Sequence, residues 1–173
     1  MSENKCKFKY LVGGKNVSNK ALEPYNKEVC NFLDDFSKML FKEKKAKEYS
    51  DLKTLAFWCR KSEILKFKSK FPLIENRMGL GLIFHITPAN IPTNFAYSLI
   101  FGLLTGNSNI VKVPSQEFKQ VEIICTCINR ILKKKYMIIR DMLAIVRYSE
   151  DDNYTKEISK KCNARMIWGG DKT

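Results

Sequence analysis

Apolar positions along the chain follow two regimes that change near Gly79. Before that point they recur at helical spacing. Val29, Phe32, Leu33, Phe36 and Leu40 mark one face of a helix whose other face carries Asp and Lys, and the lysine-rich run 42–47 closes it where cations suit the dipole. A second helix is predicted after Ser50, a good N-cap residue, with Leu52, Leu55, Ala56 and Cys59 on one face. Ahead of both, Phe8 to Val12 and Lys15 to Val17 read as a β-hairpin around Gly13-Gly14, a pair that accepts the positive φ of a tight turn. Residues 1–77 are therefore assigned to a mainly helical N-terminal region.

From Gly79 onward, short β-branched runs alternate with helical ones, the pattern of a parallel α/β sheet. Four strands are predicted: Leu80 to Ile86, Asn109 to Val113, Met142 to Tyr148 and Ala164 to Trp168. Helices fall near 93–105, 116–135 and 151–161. The middle one is the clearest, with Phe118, Val121, Ile124, Cys125, Ile128 and Ile131 on one stripe. Phe95 to Leu104 is apolar nearly all round and reads as a helix buried against the sheet. In a doubly wound sheet the first three strands run outward one way and the fourth returns beside the first, so ligands bind in the crevice between the carboxyl ends of strands one and four. Here those ends carry Thr87-Pro88-Ala89-Asn90-Ile91-Pro92 and Gly169-Gly170-Asp171.

Charge adds a question to this picture. Thirty-one Lys and Arg against 18 Asp and Glu leave +13, which invites nucleic acid, an acidic membrane surface or a polyphosphate ligand. The lysines are scattered from Lys5 to Lys172 without an interleaved aromatic ladder, so nucleic acid is disfavoured. The six cysteines form no CxxC pair and have one histidine to join them, so no metal site is expected. With no basic start followed by an apolar stretch, no secretory signal is read; the thiols are taken as reduced core residues of a cytoplasmic protein. No apolar run approaches the roughly 18 residues a membrane span needs.

Three loops carry candidate chemistry. Two prolines bracket Asn90 and stiffen its loop, a way to hold a side-chain amide as a fixed donor; the competing reading makes Asn90 a cap for the helix near Thr93. Lys112, Pro114, Ser115 and Gln116 end the second strand at a helix N-terminus, where a phosphate or ribose could sit, or where Ser115 is simply an N-cap. Gly169-Gly170 ends the fourth strand and would let a cofactor approach the backbone closely. Gly79-x-Gly81 precedes its strand and lacks the third glycine, so it is not a dinucleotide fingerprint. His85, the single histidine, reads as a hydrogen-bonded core residue.

Taken together, Gly81-Leu-Ile-Phe-His-Ile-Thr-Pro-Ala-Asn-Ile-Pro, Phe101-Gly-Leu-Leu-Thr-Gly-Asn-Ser-Asn-Ile-Val-Lys-Val-Pro-Ser115 and Ile167-Trp-Gly-Gly-Asp171 closely resemble the acyl-CoA reductase family, a branch of the aldehyde dehydrogenase superfamily that includes the fatty-acid reductase of bacterial bioluminescence. The resemblance covers most of residues 79–173. It implies an aldehyde dehydrogenase-like fold, with 78–173 as the first part of a Rossmann-like dinucleotide-binding domain. It also implies reduction of a long-chain acyl-CoA to a fatty aldehyde, by NADPH, through an acyl-cysteine intermediate. Asn90 matches the superfamily's oxyanion-hole asparagine. Lys112 and Ser115 match cofactor contacts on the adenosine side, Gly170 falls in the loop facing the dinucleotide phosphates, and Thr87, Pro88 and Gly169 complete the cofactor-facing set. Partners implied are the acyl-CoA substrate, an acyl-activating enzyme and, in a complete protein, further copies of the chain.

Two departures bear on that resemblance. Val113 is an extra residue between Lys112 and Pro114, and Gln116 stands where the superfamily has glutamate; a neutral residue there no longer repels a 2′-phosphate and favours NADPH over NADH. No cysteine here occupies the nucleophile's position, so the chain is expected to be a truncated N-terminal part that cannot reduce a thioester alone. Its fourth strand is then expected to be an open sheet edge. The competing readings are a non-catalytic nucleotide- or acyl-CoA-binding module and a basic nucleic-acid-binding protein.

Overall fold

The structure, a computed structural model, describes residues 8–71, 76–88, 90–149 and 152–169. Five strands join in one sheet: β1 (Lys9–Val12), β2 (Leu82–Ile86), β3 (Ser108–Lys112), β4 (Leu143–Arg147) and β5 (Ala164–Ile167), in the order β1-β4-β3-β2-β5. The last four are parallel, and β5 lies beside β2 rather than beside β4, so the crossover falls where strand order reverses. The N-terminal helices are α1 (Lys27–Lys42), α2 (Ser50–Trp58) and α3 (Lys61–Ser69), with a 3-10 turn at Lys44–Glu48. Within the sheet region run α4 (Asn94–Leu104), α5 (Lys119–Leu132), the short α6 (Met137–Asp141) and α7 (Asp152–Lys161). The chain is thus an α/β protein with a mixed five-strand sheet.

The predicted hairpin is not formed. Only Lys9–Val12 is a strand, and it pairs antiparallel with β4, while Lys15 to Val17 adopt no strand. The physical reason is an available edge: β4 would otherwise expose a row of backbone donors and acceptors, and β1 satisfies them. Gly13, at φ +69°, lets the chain turn off hard against the Leu143 carbonyl, where a Cβ would collide. This antiparallel pair is what makes the sheet mixed.

Boundaries moved for local reasons. Ser50 is the first helical residue of α2 rather than its cap, a place taken by Tyr49. Gly81 has φ +109°, so the backbone bends there and β2 begins at Leu82 rather than Leu80, whose side chain is left exposed. The Leu82 N–H is shared between the side-chain oxygens of Asn19 and Asn163 (2.7 and 2.9 Å), which pins the start of the strand. α5 begins at Lys119 with Phe118 as N-cap residue, and α3 and α6 are additional helices.

Alternation divides the sheet into two faces. His85, Asn109, Val111, Leu143 and Ile145 face α4 and α5, and behind these α1 and α2 add Phe32, Leu33, Phe36, Leu52 and Leu55 to one continuous apolar core. Trp58 sits edge-on to Tyr97 (6.0 Å between rings), joining α2 to α4. On the other face, α7 covers Leu82, Ile110 and Val146 incompletely, leaving a cavity of about 410 Å³ with Tyr10 and Tyr154 in its lining. β4, paired on both sides by β1 and β3, is buried along its whole length, which explains its unbroken Leu-Ala-Ile-Val run.

Helix α4 comes close to the sheet because Gly102 has no side chain: a Cβ there would strike the Asn109 side-chain oxygen and crowd the His85 ring. G102A is expected to lower unfolding free energy by about 1–3 kcal/mol, measured by urea denaturation, since the helix must lift from the strands to admit one methyl. An unchanged midpoint would show that the helix is free to shift.

Candidate functional site

The carboxyl ends of β2 and β5 meet. The Trp168 N–H, just past β5, donates to the Ile86 carbonyl at the end of β2 (3.0 Å), so the Thr87-Pro88 segment and Trp168-Gly169 leave the sheet side by side. Thr87 Oγ1 donates to the Lys112 carbonyl (2.8 Å) and ties the end of β3 to the same place. Helix α4 starts seven residues after Thr87 at Asn94, with its amino end, the positive end of its dipole, next in the chain after this loop.

Thr87, Pro88, Asn90 and Gly169 therefore all belong to loops at one crevice, the switch point of the sheet. Asn90 is exposed and does not cap α4: the N-cap residue is Thr93, which makes no side-chain cap bond. The amide of Asn90 makes no hydrogen bond among the described residues, and Asn94 Oδ1, one helical turn on, is buried without a partner. Lys112 ends β3 on the α7 side of the sheet, its ammonium 4.9 Å from the Tyr148 ring centre. Ser115 lies exposed in the turn between β3 and α5, four residues before the helix, so it is neither an N-cap nor at the helix terminus. Gly170 lies outside the described residues, as do Ala89 and Asp171.

Beneath the crevice runs a buried polar chain. Asn109 Nδ2 donates to the Asn107 carbonyl (2.6 Å), which turns its oxygen toward His85; His85 Nε2–H donates to that oxygen (2.8 Å). His85 Nδ1 is then an acceptor, filled by the Ser98 hydroxyl on α4 (2.7 Å). Ser98 Oγ in turn accepts the indole N–H of Trp168 (2.8 Å). One chain of donors and acceptors thus links β3, β2, α4 and the end of β5, and every ring nitrogen of His85 is satisfied. Reading His85 as a hydrogen-bonded core residue is correct. The partners Ser98, Asn109 and Trp168 were not singled out from sequence, although a lone serine inside a largely apolar helix was the available signal.

Among the described residues no cluster of His, Cys, Asp and Glu could hold a metal ion, and no helix is long and apolar enough to cross a membrane. A family model described as acyl-CoA reductase (LuxC) matches residues 17–173. The chain belongs to the acyl-CoA reductase family. Comparison with curated proteins and with solved structures finds no match. An acyl-CoA reductase acts on an acyl-CoA, and the crevice loops and the strands that carry them all fall inside the matched span.

Four cysteines of this acyl-CoA reductase chain, Cys30, Cys59, Cys125 and Cys127, are not activated thiols. Burial pushes Cys59 and Cys125 up to about 12 and Cys127 up to about 11, and it raises Cys30 against the opposing charges of Lys68 and Lys61. Cys162 sits just before β5, at the amino edge of the sheet and away from the crevice.

Burial also lowers the proton affinity of His85 below its ordinary 6.5, the Asn109 bond opposing this only in part. The unfolded chain therefore takes up this proton first as pH falls. The stabilisation is complete above about pH 6.5 and is lost as pH drops through the lowered folded value. Thermal melts are expected to show a melting temperature that falls from about pH 7 to about pH 5. H85Q should be less stable at neutral pH but flatter across that range, and an equally steep slope would assign the proton uptake to other groups.

Proposed function

We propose that the crevice between the carboxyl ends of β2 and β5 is the reductant and oxyanion side of a fatty-acyl-CoA reductase with an aldehyde dehydrogenase-like architecture, using NADPH. The observation that carries the reading is the convergence of the Thr87–Asn90 and Trp168–Gly169 loops at the strand-order reversal of a chain in the acyl-CoA reductase family. A dinucleotide fits the residues present: the exposed Asn90 amide on the loop and Asn94 Oδ1 at the start of α4, buried without a partner, offer polar groups, and Gly169 adds no bulk beside them. Pro88 fixes the backbone ahead of Asn90, Thr87 holds that backbone to β3, and Lys112 and Ser115 flank the adenosine side.

When bound, NADPH supplies the hydride that reduces the thioester carbonyl carbon. Asn90 donates its amide N–H to the carbonyl oxygen as negative charge develops there, with the α4 amino end adding a favourable field. The thiol that accepts the acyl group is none of Cys30, Cys59, Cys125 or Cys127, whose pKa values are raised, because a nucleophile requires a lowered one; Cys162 is set aside by its position at the opposite edge of the sheet. Gln116 removes a carboxylate from the adenosine side, and the preference for NADPH over NADH rests on that neutrality.

Trp168 borders the crevice, so a W58F background leaves one reporter indole. NADPH is expected to quench its emission saturably, and NADH to do so more weakly. N90A should leave NADPH affinity within about twofold, while lowering kcat roughly 100-fold or more in any preparation that turns over acyl-CoA. Absence of quenching by either nucleotide would overturn the cofactor assignment, and full activity of N90A would remove its oxyanion role.

A further inference from the structure

On the side of the molecule where α5 ends, charge and exposed apolar surface come together outside the crevice. Lys133, Lys134 and Lys135 follow α5 without a break, and Lys38 and Lys42 of α1 lie across a cleft of about 450 Å³ whose floor includes Met39 and Ile131. Local carboxylates neutralise part of this charge: Lys38 pairs with Asp34 (2.6 Å), Lys135 with Asp35 (3.2 Å) and Arg130 with Glu43 (2.9 Å). Lys42, Lys133 and Lys134 make no ion pair among the described residues, so three cations remain in surplus on one face.

The residues that follow supply a second, independent observation. Met137 and Ile138 are 67% and 45% exposed, while Ile139 is fully buried, so the first turn of α6 projects two adjacent large apolar side chains into solvent. Their projection is held in place. Tyr136 adopts a left-handed conformation at φ +63°, donates its hydroxyl to Asp35 Oδ2 (2.8 Å) and packs edge-on against Phe32 (5.7 Å). A tyrosine in that conformation, held by one hydrogen bond and one ring contact, turns the chain between the lysine run and the apolar pair at one exposed corner.

Complementing the dipole at the ends of α1 and α5 accounts for basic residues there, but not for two exposed apolar residues at the tip. A nucleic-acid surface would be expected to offer aromatic faces for stacking, and the cleft floor is aliphatic. Cations flanking a short apolar wedge match an interface with anionic headgroups outside and acyl chains within. We infer that this corner, Lys133–Ile138 with Lys42 of α1, is a peripheral docking surface for an anionic phospholipid bilayer, in which Met137 and Ile138 enter the headgroup boundary and the lysines contact the headgroups. The inference is independent of the crevice and its cofactor.

Co-sedimentation of the full chain with phosphatidylcholine vesicles containing about 30% phosphatidylserine tests it, with pure phosphatidylcholine vesicles as the neutral comparison. The chain is expected to bind the anionic vesicles and not the neutral ones. K133E/K134E should weaken binding about tenfold or more by removing its salt-sensitive part, and M137S/I138S should remove what persists at high salt. All four side chains are exposed, and far-UV circular dichroism confirms that each variant folds. K160E/K161E, the same charge change at the end of α7, should leave binding intact. Equal loss in that control would reduce the effect to net charge. Unchanged binding by M137S/I138S together with displacement by a single-stranded DNA oligonucleotide would make the corner a nucleic-acid face, and either result overturns the inference, as does absence of vesicle binding.

Discussion

The carboxyl edge of the sheet depends on the hydrogen-bond chain from Asn109 through His85 and Ser98 to Trp168. Burying an imidazole, a hydroxyl and an amide in an apolar layer is unfavourable unless each is paired, and here each is. Pairing fixes direction as well as energy. Because the Asn109 amide is oriented by the Asn107 carbonyl, His85 carries its proton on Nε2, Ser98 must donate to Nδ1, and Ser98 Oγ is left to accept the indole N–H. The ring of Trp168 is thereby anchored two elements away from its own strand, and the glycine that follows leaves the sheet from a defined position. Gly102 is the steric counterpart, since only its missing side chain allows α4 to bring Ser98 within reach of His85.

This chain also shows how the groups nearest the sheet are satisfied while the loop beyond stays open to solvent. The backbone bond from Trp168 to Ile86 and the side-chain bond from Thr87 to Lys112 satisfy the groups nearest the sheet. Beyond them, the Asn90 amide is exposed to solvent, and Asn94 Oδ1 at the start of α4 is buried without a partner among the described residues. A buried acceptor without a partner costs free energy, so its position marks a place where the fold is not self-sufficient. The distribution of satisfied and unsatisfied groups, rather than the glycines alone, distinguishes this loop from an ordinary turn.

The strand order β4-β3-β2-β5 was legible in the amino-acid sequence because parallel strands need helical crossovers, crossovers have one hand, and the apolar runs were spaced accordingly. The helical faces of α1 and α5 were legible for the same reason: Val29 to Leu40 and Val121 to Ile131 repeat at the helical period and are buried as the period requires. Residues whose partners lie far along the chain were not legible. β1 pairs with a strand more than 130 residues away, and nothing in Phe8 to Val17 distinguishes that edge from a local hairpin partner. The start of β2 is set by Asn19 and Asn163 together, one from each end of the chain. Ser115 has the residue type of a cap, but it sits in a bend and the chain is still extended at Phe118, so the helix begins too late for it.

Cysteine content was equally uninformative as a count, and the reason is electrostatic. Acyl transfer to sulfur needs a thiolate, and a thiolate forms near neutral pH only beside a cation, a helix amino end or a base. Cys59, Cys125 and Cys127 are surrounded by the side chains of the core, where the charged form is penalised and their pKa values rise to between about 11 and about 12. They behave as small apolar residues that fill space between helices. The crevice, by contrast, is bordered by an amide, a helix amino end and a glycine, none of which can itself attack carbon. The contrast is physical: dipoles at a sheet edge act through orientation, whereas a reactive thiol needs surroundings that the core denies it.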